Sequence, residues 1–437
     1  VSAETLSQPA ETSPLRIANF RAYWVARLSM TLGQYAMMLI IGWQVYNLAR
    51  DGGMSVGEAS GQLALIGLLQ FLPLFVLTPF SGWVADNFDR RNVARLTILV
   101  QLACAATLAW LTWSQQLTIP WIYGVAIALG VVRAFNGPAL SALAPNLVPK
   151  AILPNAIALS SISWQVGMIV GPAVGGYLHA IVPALPYVAA SGLFVIAILC
   201  LSMIGKVPQP ARPANEHPIR QMVDGLQYVV QNKMVLGAIT LDLFAVFLAG
   251  ATALFPVYAR DILEVGETGL AQLAMAPAVG AALTALFFSF RPLKTQVGPK
   301  MLWSVAVFGL ATIVFGVSTS MPLSLAMLFI VGAADMFSVY IRQSLIQLHT
   351  PDEKRGRVSA VSLLTISASN EFGDFFSGTL AFLIGPVAAV VTGGAGAILT
   401  VGLWSRLFPV LRTTKTFDPP ESLDEETPEQ TLEENIP

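Results

Sequence analysis

The sequence predicts an all-α membrane protein with twelve transmembrane helices in two pseudo-symmetric six-helix halves, and three observations carry that prediction. The first is composition: 55% of the 437 residues are hydrophobic and 11% charged, with a mean hydropathy of +0.67, against ~25% charged in soluble domains. Water would not tolerate such a surface. The second is a series of apolar stretches, each near the ~20 residues that a helix needs to cross hydrocarbon. The third is the punctuation between them, in short Gly-, Pro- or charge-rich segments such as ARDGGMSVGE, SQQLTIP, PKAILP and TPDEKRGR.

Taken in order, spans are expected near 20–48, 57–81, 93–113, 120–145, 155–178, 184–205, 233–259, 268–290, 300–318, 321–347, 356–382 and 384–407. Residues 1 to 14 lack the basic start, apolar core and cleavage site of a signal peptide, so the first span is read as a permanent helix. The longest interruption opens with VPQPARPANEHP and turns amphipathic in IRQMVDGLQYVV, where Ile219, Met222, Val223, Leu226 and Val230 share one helical face. It reads as a linker plus an interfacial helix; a helix packed beneath the bundle fits the same pattern. The expected division is an N-terminal segment (1–19), a first half (20–205), a linker (206–232), a second half (233–407) and a tail (408–437). Asp418 to Pro437 hold eight acids and no base, so the tail is expected to be disordered. Cys104 and Cys200 both fall in apolar stretches, and neither a disulfide framework nor a zinc site is suggested.

Orientation follows from Lys and Arg counted loop by loop. With the N-terminus cytoplasmic, the inner segments collect 19 of the 24 bases and the outer segments only Arg50 and Arg260. The positive-inside rule therefore predicts that both termini are cytoplasmic, in a bacterial inner or plasma membrane. Several outer loops are uncharged and too short for a receptor or catalytic domain.

Between the second and third spans, residues 82–91 read GWVADNFDRR. Charges so close together do not sit in hydrocarbon, so the strip is placed at a membrane face, in a tight turn. This stretch resembles the signature of the cytoplasmic loop after the second helix in the major facilitator superfamily, with Gly82, Asp86, Arg90 and Arg91 in matching positions. Asp89 stands where many members have glycine, and is similar to the branch that includes enterobactin exporters and macrolide efflux proteins. In the fifth span GMIVGPAVGG, with Gly167, Gly171, Pro172, Gly175 and Gly176, resembles the motif associated with antiporters, and GVVRAFNGPA in the fourth, with Arg133, Asn136 and Gly137, approximates RxxxG. The resemblance implies the twelve-helix major facilitator fold and a cytoplasmic gate, in which Asp86 docks on the eleventh helix and Arg355 and Arg357 complete a charge cluster that favours the outward-open state. Read without it, the strip is a positive-inside anchor. Gly167, Gly171 and Gly175 are in themselves a small-residue ridge that lets a partner backbone approach.

Ionisable groups inside spans are costly, ~2.5 to 3.5 kcal/mol on insertion scales, and normally face a partner or a wet cavity. The acids at such depth are Asp242, Asp335, Glu371 and Asp374; the bases are Arg133 and Arg342. Asp335 and Arg342 lie two turns apart on one face, and Glu371 and Asp374 share a face of the eleventh span. Arg342 could pair with Asp242, as a structural network or as an orienting one. Two carboxylates as close as Glu371 and Asp374 repel, and one is expected to hold a proton. Glu371 is the preferred proton site, followed by Asp335 and Asp374. Arg133 has no acid in its own half, which leaves a carbonyl, an acid across the cavity or an anionic substrate as its counterpart. In the family the resemblance points to, the matching arginine is linked to proton coupling.

Gln34, Tyr35, Trp43, Gln44, Gln70, Trp164 and Gln165 are amphipathic candidates to line a substrate cavity, since aromatic faces with a few amides suit a bulky, partly polar ligand. Packing is the ordinary role of any one of them. No G-x-x-x-x-G-K-[ST] phosphate loop occurs, and the three histidines (His179, His217, His349) are at span ends or in loops. No cofactor, metal, enzymatic activity or nucleic-acid partner is expected. Two halves packed around a midplane site suit alternating access more than a channel. The expected function is proton-coupled export of a small amphiphilic molecule, a siderophore or a drug, by a monomer. A lipid flippase and a non-transporting sensor on the same fold are the alternatives.

Overall fold

The structure is a computed structural model that describes residues 13–149, 152–205 and 218–417, without the side chains of residues 79, 82–83, 85–87, 142, 154, 218–222, 352–353, 360, 363 and 367. The first half holds α1 (Ala18–Asp51), α2 (Val56–Asn87), α3 (Arg90–Trp113), α4 (Ile119–Leu143), α5 (Leu153–Ile181) and α6 (Leu185–Met203). After the connecting helix α7 (Pro218–Gln231), the seventh span is α8 (Lys233–Leu248) with a broken continuation through α9 (Phe255–Val257) to Ile262. Then come α10 (Gly266–Phe290), α11 (Val297–Val317), α12 (Met321–Leu348), α13 (Asp352–Ile384), α14 (Pro386–Leu407) and the short α15 (Pro409–Thr413). Eleven spans among the described residues are long and apolar enough to cross a membrane. The twelfth, α13, has 33 residues and so a length of ~50 Å; its intramembrane acids lower its apolar character.

Local signals set several boundaries. Ser55 and Glu58 form a capping box at the start of α2, with Glu58 N–H donating to Ser55 Oγ at 3.2 Å and Ser55 N–H to Glu58 Oε2 at 2.8 Å. Asn232 caps α8 by accepting from Met234 and Val235 N–H at 3.1 and 3.2 Å. Asp89 caps α3 by accepting from Arg91 N–H at 2.9 Å. This cap revises the turn read from GWVADNFDRR: α2 runs on through Asn87, and only Phe88 and Asp89 separate it from α3. Hydropathy marks where hydrocarbon ends, whereas a helix continues as long as its backbone bonds are made.

An even number of spans brings Ser13 and Phe417 to one face, called here the terminal face, opposite the distal face. The halves meet over the distal part of α2 and α13, where ideal Cβ positions at Gly57 and Gly67 would lie 3.1 Å from Phe382 and Phe375 backbone atoms, and over α5 and α10, where Gly176 abuts Ala271. Phe71 against Phe372, ring centroids 5.5 Å apart, ends the first seam. Towards the terminal face Phe75, Phe80, Leu283 and Phe287 are all more than half exposed. Among the described residues the halves are thus held together on the distal side.

Two expected segments differ in detail. The tail does not start unstructured at 408: α15 packs beneath the second half, with Leu411 fully buried and Gly298 N–H donating to Thr414 O at 3.1 Å. The acidic stretch from Asp418 lies outside the described residues. In α7, Val229 is buried and Gly225 sits against the backbone of Arg357, while Val223, Leu226 and Val230 are exposed. The helix therefore docks on α13 through the side next to the apolar stripe and keeps that stripe free; Ile219 and Met222 lie outside the described side chains.

Candidate functional site

At the level where the seam between α2 and α13 ends, Arg133 of α4 forms an ion pair with Glu371 of α13, joining the two halves across the cavity. Glu371 is nearly buried, its side chain 4% exposed, and its Oε2 has no hydrogen-bond partner. Arg133 shares a small pocket with Gln34, Met38, Gln70 and Leu129. Gln34 accepts from Gln101 Nε2 at 3.3 Å, and Tyr35, next in sequence, stands close enough to Arg133 and Glu371 to feel both charges. The acid across the cavity is thus the counterpart of Arg133 among the three that the sequence allows.

Asp374, one turn along from Glu371, accepts a hydrogen bond from Thr252 Oγ1 at 3.4 Å. Thr252 follows the break in the seventh span and carries no sequence signal of its own. In the second half Arg342 pairs with Asp242, both nearly buried, and Asp335 lines a small pocket with Asp242, Phe308 and Ser338. Arg342 Nη1 makes the contact with Asp242 Oδ1, and Arg342 Nε lacks a hydrogen-bond partner. The intramembrane charges thus form a central group spanning the halves and a second group contained in one half.

The remaining candidates separate. Trp43 is 4% exposed, in a buried apolar cluster that includes residues of both halves. Gln44 bonds Tyr187 and Thr112, a packing role. Trp164 is exposed on α5, with Gln165 half-buried beside it. Of the glycine-rich motif, Gly167, Gly171 and Gly175 press on α1: a Cβ at Gly175 would lie 2.5 Å from Ala36 O. Pro172 lies inside the helix among them, and Gly176 faces the other half at Ala271.

At the terminal face Arg91 donates to Ile204 O and Arg95 to Leu201 O (2.8 Å for Arg95), closing the carbonyl end of α6. Arg91 also pairs with Asp89 at 3.5 Å. Arg357 pairs with Asp224 of α7 at 3.4 Å, and Arg355 donates to Gln347 O at 3.3 Å. Gly82 and the Asp86 side chain lie outside the described residues, so the docking of Asp86 on α13 is not among the contacts described.

A model of the transmembrane secretion effector family matches residues 10–436. The chain belongs to this family of the major facilitator superfamily. The multidrug efflux pump Tap of Mycobacterium tuberculosis is 26% identical over 401 residues, covering 89% of this chain and 92% of Tap. The enterobactin exporter EntS of Escherichia coli O1:K1 is 26% identical over 397 residues, covering 87% and 89%. Among solved structures, the bacterial Spinster homologue in its inward-facing, occupied conformation superposes with a TM-score of 0.68 at 14% identity, over 92% of this chain and 99% of that one. The inward-open xylose transporter XylE of E. coli gives 0.64 at 13%, over 91% and 97%. At such identities these structures speak for the fold alone. The chain is a multi-pass membrane transporter of the major facilitator fold and not an enzyme.

Proposed function

We propose that this transporter exports a small amphiphilic molecule, a siderophore or a drug, in exchange for protons, with both termini cytoplasmic in a bacterial inner membrane. The observation that carries the reading is the Arg133–Glu371 pair across the halves. With the halves joined on the distal side, the guanidinium is paired with the Glu371 carboxyl. When the halves pivot and the pair parts, Glu371 is left as a charge in a low-dielectric site, and taking up a proton removes that cost. Access from alternate sides then turns ~2.3 kcal/mol per 100 mV per proton into outward movement of cargo. Asp374 is positioned beside Glu371 to share the proton.

Cargo class is supported by the printed activities of Tap and EntS and by the amides of Gln34 and Gln70 beside apolar Met38 and Leu129. The terminal face is taken as cytoplasmic from its excess of Lys and Arg. Uptake of a fluorescent drug into inside-out vesicles tests the reading. Transport driven by an imposed pH gradient in the wild type, lost on collapsing the gradient and in Glu371→Gln, is the expected result. Transport indifferent to both refutes proton coupling.

A further inference from the structure

The distal closure is built from charges. Beyond Leu248 the seventh span breaks at Ala249 and Gly250, and Gly250 packs so close to Gly373 of α13 that a Cβ would sit 3.1 Å from its carbonyl. The chain then passes through a 3-10 helix (Ala251–Leu254), α9 and a π-helical turn (Tyr258–Ile262). Tyr258 anchors this turn to its own half by donating to Gly316 O at 2.7 Å and stacking on Phe315. The two residues after the anchor reach the other half. Arg260 pairs with Asp51 at 2.7 Å and donates to Asn47 Oδ1 at 2.6 Å; Asp261 pairs with Arg50 at 2.9 Å and accepts from Tyr46 Oη. Tyr46, Asn47, Arg50 and Asp51 form one stripe at the end of α1. A π turn adds a residue to the backbone ring and is frequent at functional sites; here it presents an oppositely charged neighbour pair to one helix face. These are also the two bases, Arg50 and Arg260, that stand apart from the charge bias of the terminal face.

We propose that residues 249–262 are a distal gate, latched to α1 by the two ion pairs and tied to the centre of the molecule through Thr252 and Asp374. Thr252 lies between the hinge at Gly250 and the latch, so the hydrogen bond to Asp374 holds the near end of the segment while Asp261 and Arg260 hold the far end. Loss of the Asp374 bond frees the near end and favours release of the latch. The role of Asp374 as a proton carrier rests on the transport reading above; the latch itself does not.

The test is the distance between spin labels at Gln116 and Thr319, exposed residues of distal loops in the two halves, in the full chain with Cys104 and Cys200 replaced by Ser, in lipid nanodiscs without cargo or pH gradient. Asp261→Asn raises the distally open fraction about fivefold, from ~1 kcal/mol for one partly exposed pair, and the exchanged pair Arg50→Asp with Asp261→Arg restores closure. Asp374→Ala, which removes the acceptor, raises the same fraction, and does so no further in a Thr252→Val background. An unchanged distance in Asp261→Asn, in a variant with wild-type thermal stability, overturns the latch. Independent, additive effects of Thr252→Val and Asp374→Ala overturn the tie to the centre. Loss of proton-driven transport without these distance changes speaks to the transport reading only.

Discussion

Removing Arg342 should cost far more than removing Arg342 and Asp242 together. The pair joins α12 to α8 with side chains 3% and 9% exposed, so Arg342→Met leaves Asp242 as a buried, uncompensated carboxylate. Breaking a buried pair by deleting one partner costs ~3 to 5 kcal/mol, whereas replacing both with apolar groups of similar volume is often neutral. The unpartnered Arg342 Nε points the same way, since an unmet donor reduces what the native pair contributes. With ~2 °C or less per kcal/mol expected for so long a chain, Arg342→Met should lower the apparent Tm by at most about 6 to 10 °C in detergent. Arg342→Met with Asp242→Leu should recover most of that loss.

The same double variant separates structure from coupling. Both partners lie within the second half, so their contact need not change when the halves pivot. The Arg133–Glu371 contact must change, because its partners lie on opposite halves. The double variant is therefore expected to keep at least about half of the gradient-driven transport rate, a loss of ~0.4 kcal/mol in barrier terms. A single variant as stable as wild type would refute the buried-charge account. A stable double variant with no transport would place coupling in the Asp242–Arg342–Asp335 group instead.

Three further outcomes are expected. Glu371→Gln should fold but lose its transport response to an inward pH gradient, measured in proteoliposomes, while cargo exchange without a gradient persists. Gly175→Val puts a branched side chain where even a Cβ is 2.5 Å from Ala36 O; it should lose ~1 to 3 kcal/mol or more by overpacking, whereas Gly192→Ala, which has open space around it, should leave the Tm within ~1 °C for a change of at most ~0.5 kcal/mol. His349, just past the end of α12, is held below the usual histidine value by burial, against a hydrogen bond to Leu345 O. Its neutral form is favoured when folded, so stability present above the ordinary value of ~6.5 should be lost as pH falls below it. His349→Asn should flatten that part of the Tm profile.

The spans were legible because a helix crossing hydrocarbon writes its length into composition. Helix ends outside the hydrocarbon were not: α2 reaches Asn87 and α15 follows the last span at Pro409, both through polar or Pro-containing sequence that hydropathy reads as loop. Depth bookkeeping made Arg342 and Asp242 candidate partners, since each sat unpaired at a similar level. For Arg133 the same bookkeeping left three counterparts open, because Glu371 lies 238 positions away and only the packing of α13 against the first half brings it near. The distal latch had a signal that went unused. Arg50 and Arg260 are the two outer-loop bases, and each has an acid close in sequence, Asp51 and Asp261; charges that resist the topological bias call for partners.

The ion pairs across the halves set a demand on the opposite state. In the state seen here Arg133–Glu371, Arg50–Asp261 and Arg260–Asp51 all join the halves, and alternating access requires the two states to lie within a few kcal/mol. Opening the distal face must therefore be offset by new contacts at the terminal face. The strip around Asp86 to Arg91 and the start of α13 at Arg355 and Arg357 are the charged segments there, and Arg357 is also in contact with Asp224 of α7 at 3.4 Å. A guanidinium carries five N–H donors and can hold two carboxylates at once. On that account α7 is more than a tether: it is drawn into any terminal-face cluster built on Arg357, and Asp224→Asn should shift the Gln116–Thr319 distance distribution from the opposite end of the molecule, whereas an unchanged distribution would leave α7 a tether only.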